Sequence, residues 1–438
     1  RAPTPHRALA EPRRRCPPQP AHATPLQTLQ STKTNPALTC TCLLPPSTPT
    51  QALCWQLTGL IKSAPSLADL QQLEQQHGHS YNFINISTAF VRVAWLASKG
   101  AQAGDPRPFL GRLWQRLRPQ LDKCDPRGLA NIVGACGKSA YAEAALLDAC
   151  LARLTASSEL NLIDCSAAMY GAALLWGRGY RISEEQAQQL VAVLAQKWEE
   201  ADPQGLSNTL WAAATMGLRV PQQRVQTLVA APAQKREEAK PQDLSNTLWA
   251  LATMGLLVPQ HVQALMAALV QKREESKPQE LSKALWAAAT MGLPMPQQQV
   301  QALTAALVQK WEAAKPQDLS NTLWAAATMG LRAPQQQVQA LVAALVQERE
   351  WAKLQALANA MWAAATIGQT LPAGDWQLLL RAFVAKAPQA IPQDLSYVMW
   401  AAAKRKEDFC RRGWGSWRVQ RRHCCSWRGR SAASRWRP

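Results

Sequence analysis

The sequence predicts an all-α fold, an α-solenoid of tandem helix-turn-helix repeats with a period of about 38 residues. The segment LSNTLWAAATMG occurs at residues 206–217 and again, unchanged, at residues 319–330. Its tryptophan recurs six times at spacings of 37 or 38 residues, and each interval contains two apolar patterns of helical period. Such a period is typical of arrays in which each unit buries its apolar face only against its neighbours.

The tryptophan of this segment marks the first helix of each unit, helix A. The aligned residues are Trp211, Trp249, Trp286, Trp324, Trp362 and Trp400. Three diverged copies precede them, with Val91, Gly134 and Tyr170 at the tryptophan position. The alignment therefore predicts nine copies of helix A, in a solenoid of about nine repeats that spans residues 51–403.

One unit shows why both of its segments should be helical. Pro241 suits the first position of helix A, where its missing N–H is not needed, and Asp243 falls near the positive end of the helix dipole. Gly255 can adopt the left-handed conformation that ends a helix. Pro259 then opens the second helix, helix B. Its apolar residues follow the helical period, at Val262, Leu265, Met266, Leu269 and Val270.

Helix A has three different sides around its axis. Leu206, Leu210 and Ala214 cluster on one side and are predicted to be core. Trp211 lies at the edge of that side, where it is predicted to pack between units; stacking on a nucleobase is the alternative. Asn208 leads a third, polar side.

The polar side carries one leading residue per unit, and these residues are the candidate contacts with RNA. They are Asn131, Asn208, Asn246, Lys283, Asn321, Asn359 and Tyr397. An amide offers both a donor and an acceptor, so one such residue per repeat can read one base edge of a single strand. The alternative is an asparagine that satisfies a backbone group in the adjacent unit.

Basic residues near the end of helix B form a further repeated feature. They are Lys235, Arg236, Lys272, Arg273 and Lys310. Aligned along the array, they would provide contacts with phosphates. Acidic residues follow each of them, so a solvated, salt-bridged surface explains the pattern equally well.

The formal net charge of +19 is concentrated outside the repeats. Residues 1–68 carry +6 and residues 404–438 carry +10, whereas the intervening residues carry only +3. Residues 1–50 are rich in Pro, Thr, Ser and Arg, and this composition predicts a disordered organelle transit peptide. A plain disordered extension, or upstream sequence included in error, is the alternative.

Residues 404–438 alternate arginine with tryptophan, and they are predicted to be a disordered basic tail. Arginine suits the backbone of a single-stranded nucleic acid, and tryptophan suits its bases. An incorrectly translated end of the gene would produce the same odd composition.

Chemistry-bearing motifs are scarce in this sequence. It has no Gly-rich phosphate loop and no Ser/His/Asp arrangement, so it predicts neither an enzyme nor a cofactor. Cys40 and Cys42 lack a partner pair at zinc-ligand spacing, and no metal site is predicted. Eleven scattered cysteines favour a reducing compartment. No apolar run is long enough to predict a membrane span.

The repeated unit QDLSNTLWAAATMG, followed by an element such as VQALVAAL, resembles the octotricopeptide repeats of green algae. The proline-rich PPPEW-like element of that family is eroded here, and it is best kept as LPAGDWQ at residues 371–377. Residues 70–97 look like a first repeat of the family. Related repeats occur in proteins of the FAST-kinase type, often with a RAP domain, which this sequence does not show.

The resemblance covers about residues 70–403, and it implies a nuclear-encoded organelle factor that governs the translation, stability or processing of a transcript. It is closest to chloroplast translation factors that act on a photosystem mRNA. We therefore expect a sequence-selective single-stranded RNA-binding protein of the chloroplast stroma, or alternatively of the mitochondrion, with organelle mRNA and other proteins of a ribonucleoprotein complex as partners. The alternative function is a protein-binding helical scaffold without direct RNA contact.

Overall fold

The computed structural model describes residues 49–100, 104–330, 334–368 and 371–404. The predicted transit peptide, apart from its last two residues, and the predicted tail from residue 405 onward lie outside the described residues. The chain divides into two units after Pro49, and the helical array belongs to the second. Within the described ranges every regular element is helical, which confirms the all-α prediction.

The nine predicted copies of helix A are all present. They are α3 (Phe83–Ser98), α5 (Pro126–Ser139), α7 (Leu162–Trp176), α9 (Pro203–Met216), α11 (Pro241–Met254), α13 (Pro278–Met291), α15 (Pro316–Thr328), α17 (Leu354–Ile367) and α19 (Pro392–Lys404). Eight B helices alternate with them. These are α4 (Arg107–Leu117), α6 (Ala144–Thr155), α8 (Glu184–Gln196), α10 (Gln222–Gln234), α12 (Pro259–Gln271), α14 (Gln297–Gln309), α16 (Gln335–Gln347) and α18 (Ala373–Lys386).

Two helices precede the first aligned copy, α1 (Pro49–Ser63) and α2 (Leu67–His77). They have no counterpart in the tryptophan alignment. Asn85 at the start of α3 donates from Nδ2 to the carbonyl of Cys54 and to Oγ1 of Thr58, both at 2.9 Å. These bonds join α1 to the start of α3.

The array has two layers. Each A helix packs against the A helices before and after it, and each B helix from α6 onward packs against its neighbouring B helices in the same way. The core lies between the layers, where aliphatic residues from both are buried. This arrangement confirms the predicted solenoid, because each unit finds its apolar contacts in its own pair and in the adjacent pairs.

Five of the A helices satisfy the unpaired N–H groups of a helix start in one of two ways. Before α5 and α9 an aspartate precedes the helix, and Asp125 and Asp202 accept from backbone N–H groups of the first turn at 2.7 and 2.6 Å. Before α11, α13 and α15 a lysine takes that place. The acid three residues on then accepts from the backbone, as when the N–H of Lys240 donates to Asp243 at 3.1 Å.

Helix A ends in the left-handed conformation, as predicted for Gly255, whose φ is 67°. The equivalent glycines in four other units have φ between 62° and 75°. Ala140 holds the same place after α5 with φ of 60°. An L-residue with a Cβ is strained there, which shows how strongly the turn between α5 and α6 requires this conformation.

No helix in the described ranges combines the length and the apolar character that crossing a bilayer would need.

Candidate nucleic-acid interface

The candidate residues lie on a stripe along the A layer, on the side of each A helix that points away from its buried leucines. In α9 the stripe consists of Gln204, Asn208 and Trp211, at i, i+4 and i+7. Gln204 is exposed, and Asn208 and Trp211 are half-buried. Because the period of the helix places these three residues one above another, the regular units from α9 onward present a similar short polar and aromatic surface.

Seven of the nine A helices carry one of the predicted site residues on this stripe. The half-buried ones are Asn131, Asn208, Lys283, Asn321 and Tyr397. The remaining two are buried, Asn246 with 5% and Asn359 with 9% of its surface exposed. The structure thus places the candidates at equivalent positions, but with unequal access to solvent.

The exposure of each stripe asparagine depends on the size of the residue at the equivalent position of the next A helix. Lys283 follows Asn246 along the stripe, and its Nζ donates to the Asn246 Oδ1 at 3.0 Å. Tyr397 follows Asn359, and its ring stacks on that of Trp362 one turn beyond, with 5.2 Å between ring centroids. In both cases the larger side chain accompanies a buried asparagine in the unit before it.

Where another asparagine follows, the residue before it stays half-buried. Asn208 precedes Asn246, and Asn321 precedes Asn359. The amide oxygen of Asn321 accepts from Gln317 Nε2 at 2.8 Å, one turn earlier on its own helix. The bonds seen for Asn246 and Asn321 thus join side chains of the stripe, which differs from the predicted alternative of a bond to the backbone of the adjacent unit.

The tryptophans pack between units, as the sequence indicates. Trp211 lies against Tyr170 of α7 with 5.3 Å between ring centroids. Trp362 lies between two rings of α19, those of Tyr397 and, at 6.3 Å, of Trp400. The five tryptophans from Trp211 to Trp362 are half-buried against the core. Each of them has an edge at the stripe, while most of the ring contributes to packing.

Serine 207, the residue before Asn208, is a contact between units that the sequence analysis missed. Its Oγ donates to Asp243 in the next A helix at 3.3 Å, and Ser282 donates to Asp318 in the same way at 3.0 Å. All four residues are buried. The signal in the sequence was a serine followed 36 residues later by an acid, a pairing visible only once the period is known.

The lysines at the end of helix B donate to the backbone, a contact that neither the phosphate nor the salt-bridge interpretation predicts. Lys310 Nζ donates to three carbonyls in the linker before its own unit, those of Arg273, Glu274 and Ser276, at 2.6–2.9 Å. Lys235, Lys272 and Lys386 each bind two carbonyls of the equivalent linker. We call this contact the lysine clamp.

The arginines beside these lysines match the salt-bridged alternative. Arg236, Arg273 and Arg349 each donate to a carbonyl of their own helix end, at 2.8–3.2 Å. Each also lies within 3.3–3.6 Å of the carboxylate of the following glutamate. These exposed pairs contribute little to stability, but they leave the B-helix ends close to neutral.

Lys283 places a cation at the Asn208 position of the stripe. Burial lowers its pKa, and the nearby carboxylates of Asp318 and Glu280 oppose that shift. Neither carboxylate forms an ion pair with it in the described part of the chain. Its polar partner is the amide of Asn246, so the ammonium group keeps most of its hydrogen-bonding capacity.

The arrangement offers hydrogen bonds and aromatic edges in register. Among the residues that the structure describes, no three His, Cys, Asp or Glu side chains come together as a metal site.

Comparison with known proteins yields one family. No curated protein matches the chain. The family described as "Tbc2 translation factor, N-terminal domain" matches it twice, at residues 143–263 and 259–368. This confirms the predicted likeness to a translation factor, while the octotricopeptide and FAST-kinase relations stay predictions. Since the two matches together cover slightly more than half of the chain, the protein belongs to the family of the Tbc2 translation factor N-terminal domain.

Proposed function

We propose that this protein binds single-stranded RNA sequence-selectively through the stripe of the A layer and acts in the translation of an organelle transcript. The stripe is the observation that carries the proposal. In the six A helices from α9 to α19 it repeats one polar residue and one aromatic edge per unit, beside the packed core. A single strand that runs along the array would meet one such set per unit.

Family membership supports a role in translation. The composition of residues 1–50, together with the resemblance to green-algal organelle factors, supports the chloroplast stroma, with the mitochondrion as the alternative. The stripe offers groups for binding and none suited to bond breaking, so we propose a binding protein without catalytic activity.

A protein-binding scaffold is the second candidate, and the lysine clamp favours it. Because Lys235, Lys272 and Lys310 bind carbonyls, the regular units have fewer free cations for phosphates than their composition implies. The positive charge available to RNA then lies mainly in the terminal segments. A partner protein would need no such charge.

Fluorescence anisotropy of the full chain with labelled RNA separates the two functions. We expect binding to single-stranded RNA that weakens with salt, and weak binding to duplex RNA. The double variant Asn208→Ala, Asn321→Ala should bind about thirtyfold more weakly, since each substitution removes one amide contact of about 1 kcal/mol.

The matched control is the double variant Gln226→Ala, Gln339→Ala, which removes two amides from the B layer. Its affinity should equal that of the unchanged protein. Absence of binding to any single-stranded RNA at low salt would contradict the proposal. Protein partners that stay bound after ribonuclease treatment would then support the scaffold.

A further inference from the structure

The contact between Asn246 and Lys283 makes one place on the stripe chemically different from the rest. An ammonium group carries three donors and no acceptor, so the 3.0 Å contact assigns the acceptor role to the Asn246 oxygen. That oxygen is then used within the protein. What remains at this place is the Lys283 ammonium, with its two other N–H groups.

The asparagine that Lys283 covers is withdrawn from the surface. Asn246 is 5% exposed, whereas Lys283 itself remains half-buried. At the Asn208 position, the units of α11 and α13 therefore share one accessible group, the Lys283 ammonium. A ligand that meets the stripe here finds hydrogen-bond donors and positive charge, while at Asn208 it finds an amide with both a donor and an acceptor.

These two chemistries suit different bases. An amide matches an edge that has an acceptor beside an amine, as adenine has at N7 and N6. A donor-only group matches carbonyl and ring-nitrogen acceptors without an amine beside them, as in guanine O6 and N7 or uracil O4. An amine of adenine or cytosine placed against Lys283 would find no acceptor, and an unpaired polar group is costly.

We propose that Lys283 is a specificity-determining residue that makes the stripe select a keto base, guanine or uracil, where it passes α13. This inference rests on the proposed function, and it adds a base class at one defined place. Its partner Asn246 acts as a positioning residue, because it binds the ammonium group and is itself covered.

Selection from a pool of randomised single-stranded RNA tests the inference with the full chain. The motif selected by the unchanged protein should contain one position at which guanine and uracil together exceed adenine and cytosine by about tenfold, the value of one charged hydrogen bond. Lys283→Asn introduces the residue that equivalent units carry, so the fold should persist. In this variant the keto preference should disappear at that position alone.

Two further variants make the comparison sharp. Lys283→Met keeps a long apolar stem over Asn246 without any donor, and it should lose the keto preference without gaining adenine. Lys277→Asn makes the same change of charge on an exposed residue just before α13. It should leave the selected motif unchanged, although affinity falls with the lost charge.

Each outcome decides between the proposals. A motif that is the same for the unchanged protein and for Lys283→Asn overturns the role of Lys283 and leaves RNA binding intact. A change of motif in Lys277→Asn as large as in Lys283→Asn also overturns it, since charge alone would then be responsible. If the unchanged protein enriches no RNA, the proposed function fails and this inference fails with it.

Discussion

The lysine clamp shows how one side chain can join two repeats. Backbone carbonyls in the linker between helix B and the next helix A lack the partners that a continuing helix would supply. The ammonium group of Lys310, at the end of the following unit, donates to carbonyls 34–37 residues earlier in the chain. The bonds to the carbonyls of Arg273 and Ser276 are partly buried, and a polar group left unpaired there would lose hydration without full compensation.

Replacing Lys310 with methionine should destabilise the protein by about 1–3 kcal/mol, because three carbonyls lose a charged donor while the aliphatic stem is kept. Urea unfolding followed by circular dichroism measures the change. Hydrogen exchange should locate it in the linker at residues 272–277. An unfolding curve identical to that of the unchanged protein would rule out a stabilising role for the clamp.

Glu348 stands at the clamp position of the unit formed by α15 and α16 and supplies a natural counter-test. Glu348→Lys should stabilise the protein by about 0.5–1.5 kcal/mol, since it restores a donor for the carbonyls of residues 311–314. The measurement is the same urea titration. If both substitutions lower stability, general charge effects would explain the results better than the clamp.

Buried thiols should make the free energy of unfolding of the array decrease at alkaline pH. Burial raises the pKa of Cys124 to about 11, and those of Cys150 and Cys165 to about 12, from 9.0. Below pH 9 these thiols are neutral in both the folded and the unfolded chain, so their full contribution to stability is present. Above pH 9 the unfolded chain ionises first, and stability is lost as pH rises through the folded values.

Between pH 9 and 10 the free energy of unfolding should fall by roughly 1 kcal/mol for each of these thiols. Urea titrations at several pH values measure the slope. Cys150→Ala should reduce the pH dependence of the free energy of unfolding by the contribution of one thiol, whatever its effect on stability at pH 7. A variant with the same pH slope as the unchanged protein would show that Cys150 does not contribute.

At the scale of the helix, the residues at the contact between two neighbouring A helices determine how closely the helices approach. In α5 and α7 they are glycines, and a Cβ at Gly137 would lie 2.6 Å from the carbonyl oxygen of Gly171. Gly134 lies three residues earlier on α5. A Cβ added there would lie 3.5 Å from the nearest atom across the interface, the carbonyl oxygen of Ala167. The later units have alanine in place of Gly137 and so require a wider approach.

The two glycines of α5 provide a matched pair of substitutions. Gly137→Ala should destabilise the protein by about 1–3 kcal/mol or more, since backbone atoms must move to admit the methyl group. Gly134→Ala should be neutral or stabilise by up to about 1 kcal/mol, because alanine favours the helix and the methyl group fits. Thermal unfolding of both variants tests this, and equal melting temperatures would contradict the close approach.

For the whole molecule, the two-layer array makes stability a sum of local terms. Successive A helices pack together, and so do successive B helices from α6 onward, so each unit depends on the units beside it. Units can therefore be added to or removed from such an array without a change in the structure of the remaining units. This also lets a stripe of single residues run along the array, because every unit presents its helix A in the same way.

Deleting residues 278–315 should preserve the fold, because it removes one complete unit and joins Lys277 to Pro316, the same Lys-Pro junction as before. Circular dichroism per residue should be unchanged, and unfolding should remain cooperative at a somewhat lower temperature. Deleting residues 278–296 removes helix A alone and should expose the apolar side of α14. If both deletions unfold the protein equally, the units are not independent modules.

Much of this architecture is predictable because it depends on period and local chemistry. Spacing of the tryptophans located six of the A helices and alignment of diverged copies the other three, and Gly255 and Pro241 marked helix ends that the structure confirms. The lysine clamp was not predicted, because a lysine followed by glutamates has the same pattern in sequence whether it contacts phosphate, carboxylate or carbonyl. The choice depends on which groups of the adjacent unit lie within its reach.

The sequence by itself determined the class of fold, the number of A helices and the side of helix A on which Asn208 lies, since these follow from helical periodicity and from residue preferences at helix ends. Only the tertiary structure decided which stripe residues reach solvent. Asn246 and Asn208 occupy the same place in their units, yet Lys283 from the next unit covers Asn246. Exposure is a property of the contact between units, and residues 37 positions apart meet only when the array is assembled.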